Sequence, residues 1–82
     1  MRVGGLLIVT ATGAADQTRA SVPLHIAVNG ARPIDVDVAV VFAGDAAELV
    51  KPDVIAQVRG VGVPAFKDLV DKCVAQDVSF YV

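Results

Sequence analysis

The chain has 82 residues, of which 55% are hydrophobic and 20% are charged, so it is long enough for one domain and too apolar for a disordered segment. Seven Lys and Arg against nine Asp and Glu give a net charge of -2 without a basic cluster, which argues against nucleic-acid binding. No apolar run reaches the roughly 18–20 residues that cross a bilayer, so we expect no membrane partner. A lone cysteine, Cys73, cannot form an internal disulfide, and the cytoplasm is the expected location.

The first predicted element is a strand over residues 3–10, a dense apolar run with β-branched residues. Arg2 followed by this run and by the small residues 13–15 also resembles a secretory signal peptide. We favour the strand, because Gly5 and Thr10 interrupt the continuous apolar core that a signal peptide needs.

Residues 16–31 predict a crossover helix with one apolar stripe at helical spacing. Pro23 falls within it and is tolerated without cost only in a first turn. Either Ser21 caps the helix or Asp16 caps an earlier, kinked one. The stripe consists of Ala20, Leu24, Ala27, Val28 and Ala31.

Residues 36–43 repeat the character of the first strand and predict a second one. Asp45 and Glu48 then have the spacing of a capping box, which indicates a short helix that ends at residues 51–52. After an irregular stretch, Pro64 opens the clearest helix. Its stripe is formed by Phe66, Leu69, Val70, Cys73 and Val74.

Residues 78–82 predict a third strand, which completes the order β-α-β-α-α-β within a single domain, 1–82. Apolar runs without strict alternation indicate strands that are buried on both faces of a parallel sheet. We therefore expect a three-layer α/β fold that forms half of an open, doubly wound parallel sheet. In the common order 2-1-3, the third strand lies at an edge.

Ligands of such sheets bind at the carboxyl ends of the strands, which here are followed by two loops, 10–19 and 43–45. Phosphate-binding glycine patterns are absent from both loops, and no cofactor is expected. Ordinary loop and helix-cap residues remain the alternative interpretation of both segments. The pocket-lining candidates are Thr10, Thr12, Gly13, Asp16, Arg19, Gly44 and Asp45.

Neither His25 nor Cys73 predicts a catalytic site. His25 is the only histidine, and we expect a boundary residue that hydrogen-bonds to backbone or solvent. Cys73 lies on the apolar stripe of the last helix, where a buried thiol has a raised pKa and is inert. One histidine and one cysteine far apart provide too few ligands for a metal site. From the sequence we therefore expect neither a complete catalytic site nor a metal site.

Five segments in order resemble the DsrE/DsrF-like family over nearly the whole chain: Leu6-Leu-Ile-Val-Thr10, Thr18-Arg-Ala-Ser-x-Pro-x-His25, Ala43-Gly-Asp45, Gly60-x-Gly-x-Pro64 and Val78-Ser-Phe-Tyr-Val82. The resemblance implies a flavodoxin-like or peroxiredoxin-like α/β fold. It also implies assembly as homo-oligomers or with related DsrE-like subunits, and membership of a class that includes intracellular sulfur-relay proteins carrying persulfide on cysteine.

One departure from the family separates the possible functions. The reactive cysteine of sulfur-carrying members follows the strand that resembles residues 78–82, whereas Cys73 precedes that strand. We therefore expect either a fragment that lacks this loop and later strands or a non-catalytic relative. The chain is at most sulfurtransferase-related, and the alternative is a non-catalytic oligomer that binds a small ligand or has a structural role. A signalling receiver domain is disfavoured, because such a domain needs an acidic cluster at the end of the first strand. Here that position holds Thr10-Ala-Thr12.

Overall fold

The computed structural model describes residues 5–82 and shows a small α/β domain with a three-stranded parallel sheet. The strands are β1 (Gly5–Thr10), β2 (Asp37–Phe42) and β3 (Ser79–Tyr81). The α-helices are α1 (Gln17–Ile26), α2 (Pro52–Gln57) and α3 (Phe66–Ala75). A π-helical segment, Ala27–Ala31, and a 3-10 turn, Arg32–Ile34, continue α1, and a 3-10 helix, Gly44–Val50, follows β2.

The strand order is β1-β2-β3, with β2 at the centre. Gly5 to Thr10 pair with Asp37 to Phe42, and Ala39 to Val41 pair with Ser79 to Tyr81. The expected order 2-1-3 is therefore wrong, although β3 does lie at an edge. Hydrophobic periodicity shows which residues face the core, but it does not show in which direction each crossover moves along the sheet.

The helices cover one face of the sheet, and α1 contacts α3 directly. Val38, Val40 and Phe42 of β2 are buried on this side. On the opposite face, Leu7 is 62% exposed and Val9 is 64% exposed, so strands buried on both faces and a three-layer fold are not observed in residues 5–82. The reason is the strand order, because two right-handed crossovers that move in the same direction place their helices on the same side.

Asp16 caps α1, since its carboxylate accepts a hydrogen bond from Arg19 N at 3.0 Å. Ser21 lies inside the helix, where its hydroxyl donates to the Gln17 carbonyl at 2.8 Å. The earlier of the two predicted caps is thus the observed one. Pro23 is accommodated within α1, and the predicted crossover helix continues through the π-helical segment.

The predicted capping box is wrong. The 3-10 helix begins after Ala43, without a side-chain cap, and Asp45 lies in its first turn. Glu48 instead accepts a hydrogen bond from Ala14 N, 34 residues away, at 3.1 Å. The predicted end of this helix at residues 51–52 is confirmed, since Lys51 is the C-cap of the 3-10 helix. Pro52 then opens α2, because proline suits a first helical turn, in which its missing N–H has no partner to lose.

Among the described residues, none of the helices has both the length and the hydropathy needed to cross a membrane.

Candidate functional site

The loops that follow β1 and β2 meet at the carboxyl ends of the strands. Ala43 N donates to the Thr10 carbonyl at 2.9 Å. A Cβ atom built on Gly13 would lie 2.6 Å from the carbonyl oxygen of Asp45, so only glycine fits this approach without a backbone shift. Gly13 and Asp45 therefore join the two loops through backbone packing.

A surface cavity of about 600 Å³ opens beside the carboxyl end of β1. Four of the seven sequence-predicted residues line it, whereas Gly13, Gly44 and Asp45 do not. We expected a pocket between the two loops, but the cavity lies between the first loop and α1. The backbone of the second loop packs against Gly13 instead of lining the cavity. The lining residues are Val9, Thr10, Thr12, Asp16, Thr18, Arg19, Val22 and Pro23.

Opposite charges lie side by side at the mouth of this cavity. The Arg19 Nε atom lies 3.8 Å from an Asp16 carboxylate oxygen, and the two side chains are 77% and 53% exposed. At this exposure and distance the pair contributes little to stability. The Asp16 carboxylate already occupies the amino terminus of α1, the position that an anion would otherwise take. The cavity therefore presents one cation and one anion to a ligand rather than a single positive charge.

The segment 59–61 packs against the first turn of α1. Thr18 Oγ1 accepts a hydrogen bond from Val61 N at 2.9 Å, and Gln17 Oε1 accepts one from Arg59 N at 2.9 Å. A Cβ atom on Gly60 would lie 2.9 Å from the Thr18 Cα atom. Gly60 therefore permits a close approach that holds Thr18 in place. Because this hydroxyl accepts from Val61, its own hydrogen remains available to a ligand.

A second cavity, of about 540 Å³, lies at the amino ends of the strands, with Arg32, Asp37 and Asp77 among its lining residues. Arg32 Nη1 donates to the Val36 carbonyl at 3.1 Å and lies 3.6 Å from Asp37 Oδ1, whereas the buried Nε atom of Arg32 has no hydrogen-bond partner among residues 5–82. Ligand sites of parallel α/β sheets lie at the opposite ends of the strands. We therefore take the carboxyl-end cavity as the candidate site.

Cys73 is fully buried on the inner face of α3, as its stripe predicts. Burial raises the pKa of the thiol to about 11, because removal from water disfavours the thiolate. A thiol with this pKa is almost entirely protonated at neutral pH, and the thiolate is the nucleophilic form.

His25 is half-buried and lies in a side-chain network that links α1 to α3. Its Nδ1 atom lies 3.0 Å from Asn29 Nδ2, and Lys72 Nζ donates to Asn29 Oδ1 at 2.6 Å. Because Lys72 donates to the amide oxygen of Asn29, the amide nitrogen of Asn29 faces His25 Nδ1. The partner that the structure shows for His25 is thus a side chain, that of Asn29.

Residues 5–82 bring together no group of three or more His, Cys, Asp or Glu side chains that can hold a metal ion. No family model, curated protein or solved structure matches the chain.

Proposed function

We propose that this chain is a non-catalytic α/β protein that binds a small polar ligand in the cavity at the carboxyl end of β1. The observation that carries the proposal is the convergence of Thr12, Asp16, Thr18 and Arg19 on one cavity of about 600 Å³. Its volume falls within the roughly 300–1,000 Å³ typical of small-molecule sites.

The charges indicate a ligand with two kinds of polar group. Arg19 suits a carboxylate or another small anion, whereas the adjacent Asp16 suits a hydrogen-bond donor such as an ammonium group. The remaining wall includes the apolar residues Val9, Val22 and Pro23. A zwitterion with a short apolar side chain, such as a free amino acid, matches these groups better than inorganic phosphate does.

Sulfur relay, which the resemblance to DsrE/DsrF-like proteins implies, is the competing proposal. It requires a thiolate at an accessible strand end. Cys73 is buried and its pKa is raised to about 11, which supports binding rather than sulfur transfer by this thiol. Membership of that family and a cytoplasmic location both remain predictions.

Isothermal titration calorimetry tests the proposed function with three probes: L-cysteine under reducing conditions, thiosulfate and inorganic phosphate. We expect L-cysteine to bind more tightly than either anion. Arg19→Gln should weaken its binding by roughly tenfold, the loss expected for one charge-assisted contact.

Arg59→Gln is the matched control, because Arg59 is also exposed but does not line the cavity. If the Arg19→Gln variant bound each of the three probes as tightly as the wild type does, the assigned site would be contradicted. An absence of heat with every probe would contradict the assigned ligand class.

A further inference from the structure

The outer edge of β3 lies beside an apolar groove between the sheet and the helices. The groove has a volume of about 190 Å³, and Phe42, Val50, Ile55, Val70, Val74 and Phe80 are among its lining residues. Phe80 is held by edge-to-face packing on Phe42, with ring centroids 5.2 Å apart. β3 is an edge strand of the described sheet, so one side of its backbone is available to another strand.

The size and chemistry of this groove favour a side chain rather than a free ligand. Its 190 Å³ is below the roughly 300–1,000 Å³ of small-molecule sites. No charged residue lines it, so an uncharged apolar group is the complementary occupant. An edge strand next to an apolar groove is the arrangement that accepts an added strand, whose backbone pairs with the edge while alternate side chains enter the groove.

We propose that the occupant is β3 of a second copy of this chain, paired antiparallel across a two-fold axis. The side chains of residues 79–82 are uncharged, so pairing of this segment with itself brings no like-charged side chains together. Val82, which is 76% exposed, directly follows β3, and extension of the strand by this one residue on pairing places it on the same face as Phe80. With Tyr81 at the axis, Val82 of the second copy lies opposite Phe80 and covers the groove.

The same two-fold operation fills both grooves and pairs both edges, as an isologous interface requires. The neighbouring surface of α3 is electrically balanced, since Lys67 Nζ and Asp71 Oδ2 form an ion pair at 2.7 Å. A three-residue strand and one groove make a small interface, so dimerisation at about micromolar or higher concentrations is expected. This inference is independent of the cavity at the carboxyl end of β1.

Sedimentation equilibrium over a micromolar to millimolar range tests the dimer. Val82→Lys and Val74→Lys should each raise the dimer dissociation constant by roughly tenfold or more, because each places a charge at the apolar groove. Val74 and Val82 are already 68% and 76% exposed, so the fold should survive, which circular dichroism verifies. Val61→Lys is the control, since Val61 is 84% exposed and lies outside the groove.

A second arm separates this edge from the uncovered face of the sheet. Val9→Lys charges that face and should leave the dimer intact. In the wild type, hydrogen exchange should show an amide within residues 79–82 that becomes protected as the concentration rises. A concentration-independent monomer would overturn the proposal, as would a dimer that Val9→Lys disrupts and Val82→Lys does not.

Discussion

Replacement of Gly13 by alanine tests whether the two loops meet as described. The added Cβ atom would lie 2.6 Å from the Asp45 carbonyl oxygen and 3.2 Å from its carbonyl carbon. The obstacle is backbone, in the first turn of the 3-10 helix that follows β2, and it must retreat by several tenths of an ångström. Overpacking of this kind costs about 1–3 kcal/mol, so Gly13→Ala should lower the free energy of unfolding by that amount.

Gly30→Ala is the matched control and should change stability in the opposite direction. A Cβ atom at Gly30 meets nothing within 4 Å, and the residue lies in the helical segment Ala27–Ala31. Alanine there should stabilise the protein by about 0.4–1 kcal/mol, because it restricts the unfolded chain. Urea unfolding followed by circular dichroism measures both variants. A Gly13→Ala variant as stable as wild type would refute the packing of Gly13 on Asp45.

Three further predictions concern Cys73 and Thr18. Because burial raises the pKa of Cys73 from 9.0 to about 11, the unfolded chain loses this proton first, and native stability should fall by on the order of 2 kcal/mol from pH 9 to pH 11. Cys73→Ala should lack this component of the pH dependence in urea titrations, and an equal decrease in both proteins would contradict it. A thiol reagent should label native Cys73 far more slowly than the denatured chain, so equal rates would show an accessible thiol. Thr18→Val removes the acceptor for Val61 N and should cost about 1 kcal/mol; unchanged stability in thermal unfolding would show that this bond contributes nothing.

Local patterns predicted the three strands, α1 and α3, whereas α2 (Pro52–Gln57) lies in a stretch that was expected to be irregular. The stripe of α3 is confirmed by the burial of Phe66, Leu69 and Cys73. The strand order could not be predicted in this way, because periodicity carries no information on where a crossover places the next strand. The open face of the sheet, with Leu7 and Val9 exposed, follows from that order.

In the candidate site, too, the residues that are close in sequence were predicted, whereas contacts between residues far apart in sequence were not. Loop position placed Thr10, Thr12, Asp16 and Arg19 near one another, and the structure finds them lining one cavity. Thr18 was missed because its place in a helical first turn gives no sign of Val61, 43 residues away. Glu48 was assigned to a local cap because its three-residue spacing from Asp45 is visible in the sequence, whereas its actual partner, Ala14 N, is brought close only by the fold.

The most direct test of the proposed binding site is amide chemical-shift mapping of the protein with L-cysteine under reducing conditions. We expect concentration-dependent shifts within residues 9–23, including Thr12 and Arg19, and little change in α3. Shifts confined to residues 66–75, or to Arg32 and Ser79 at the opposite cavity, would contradict it.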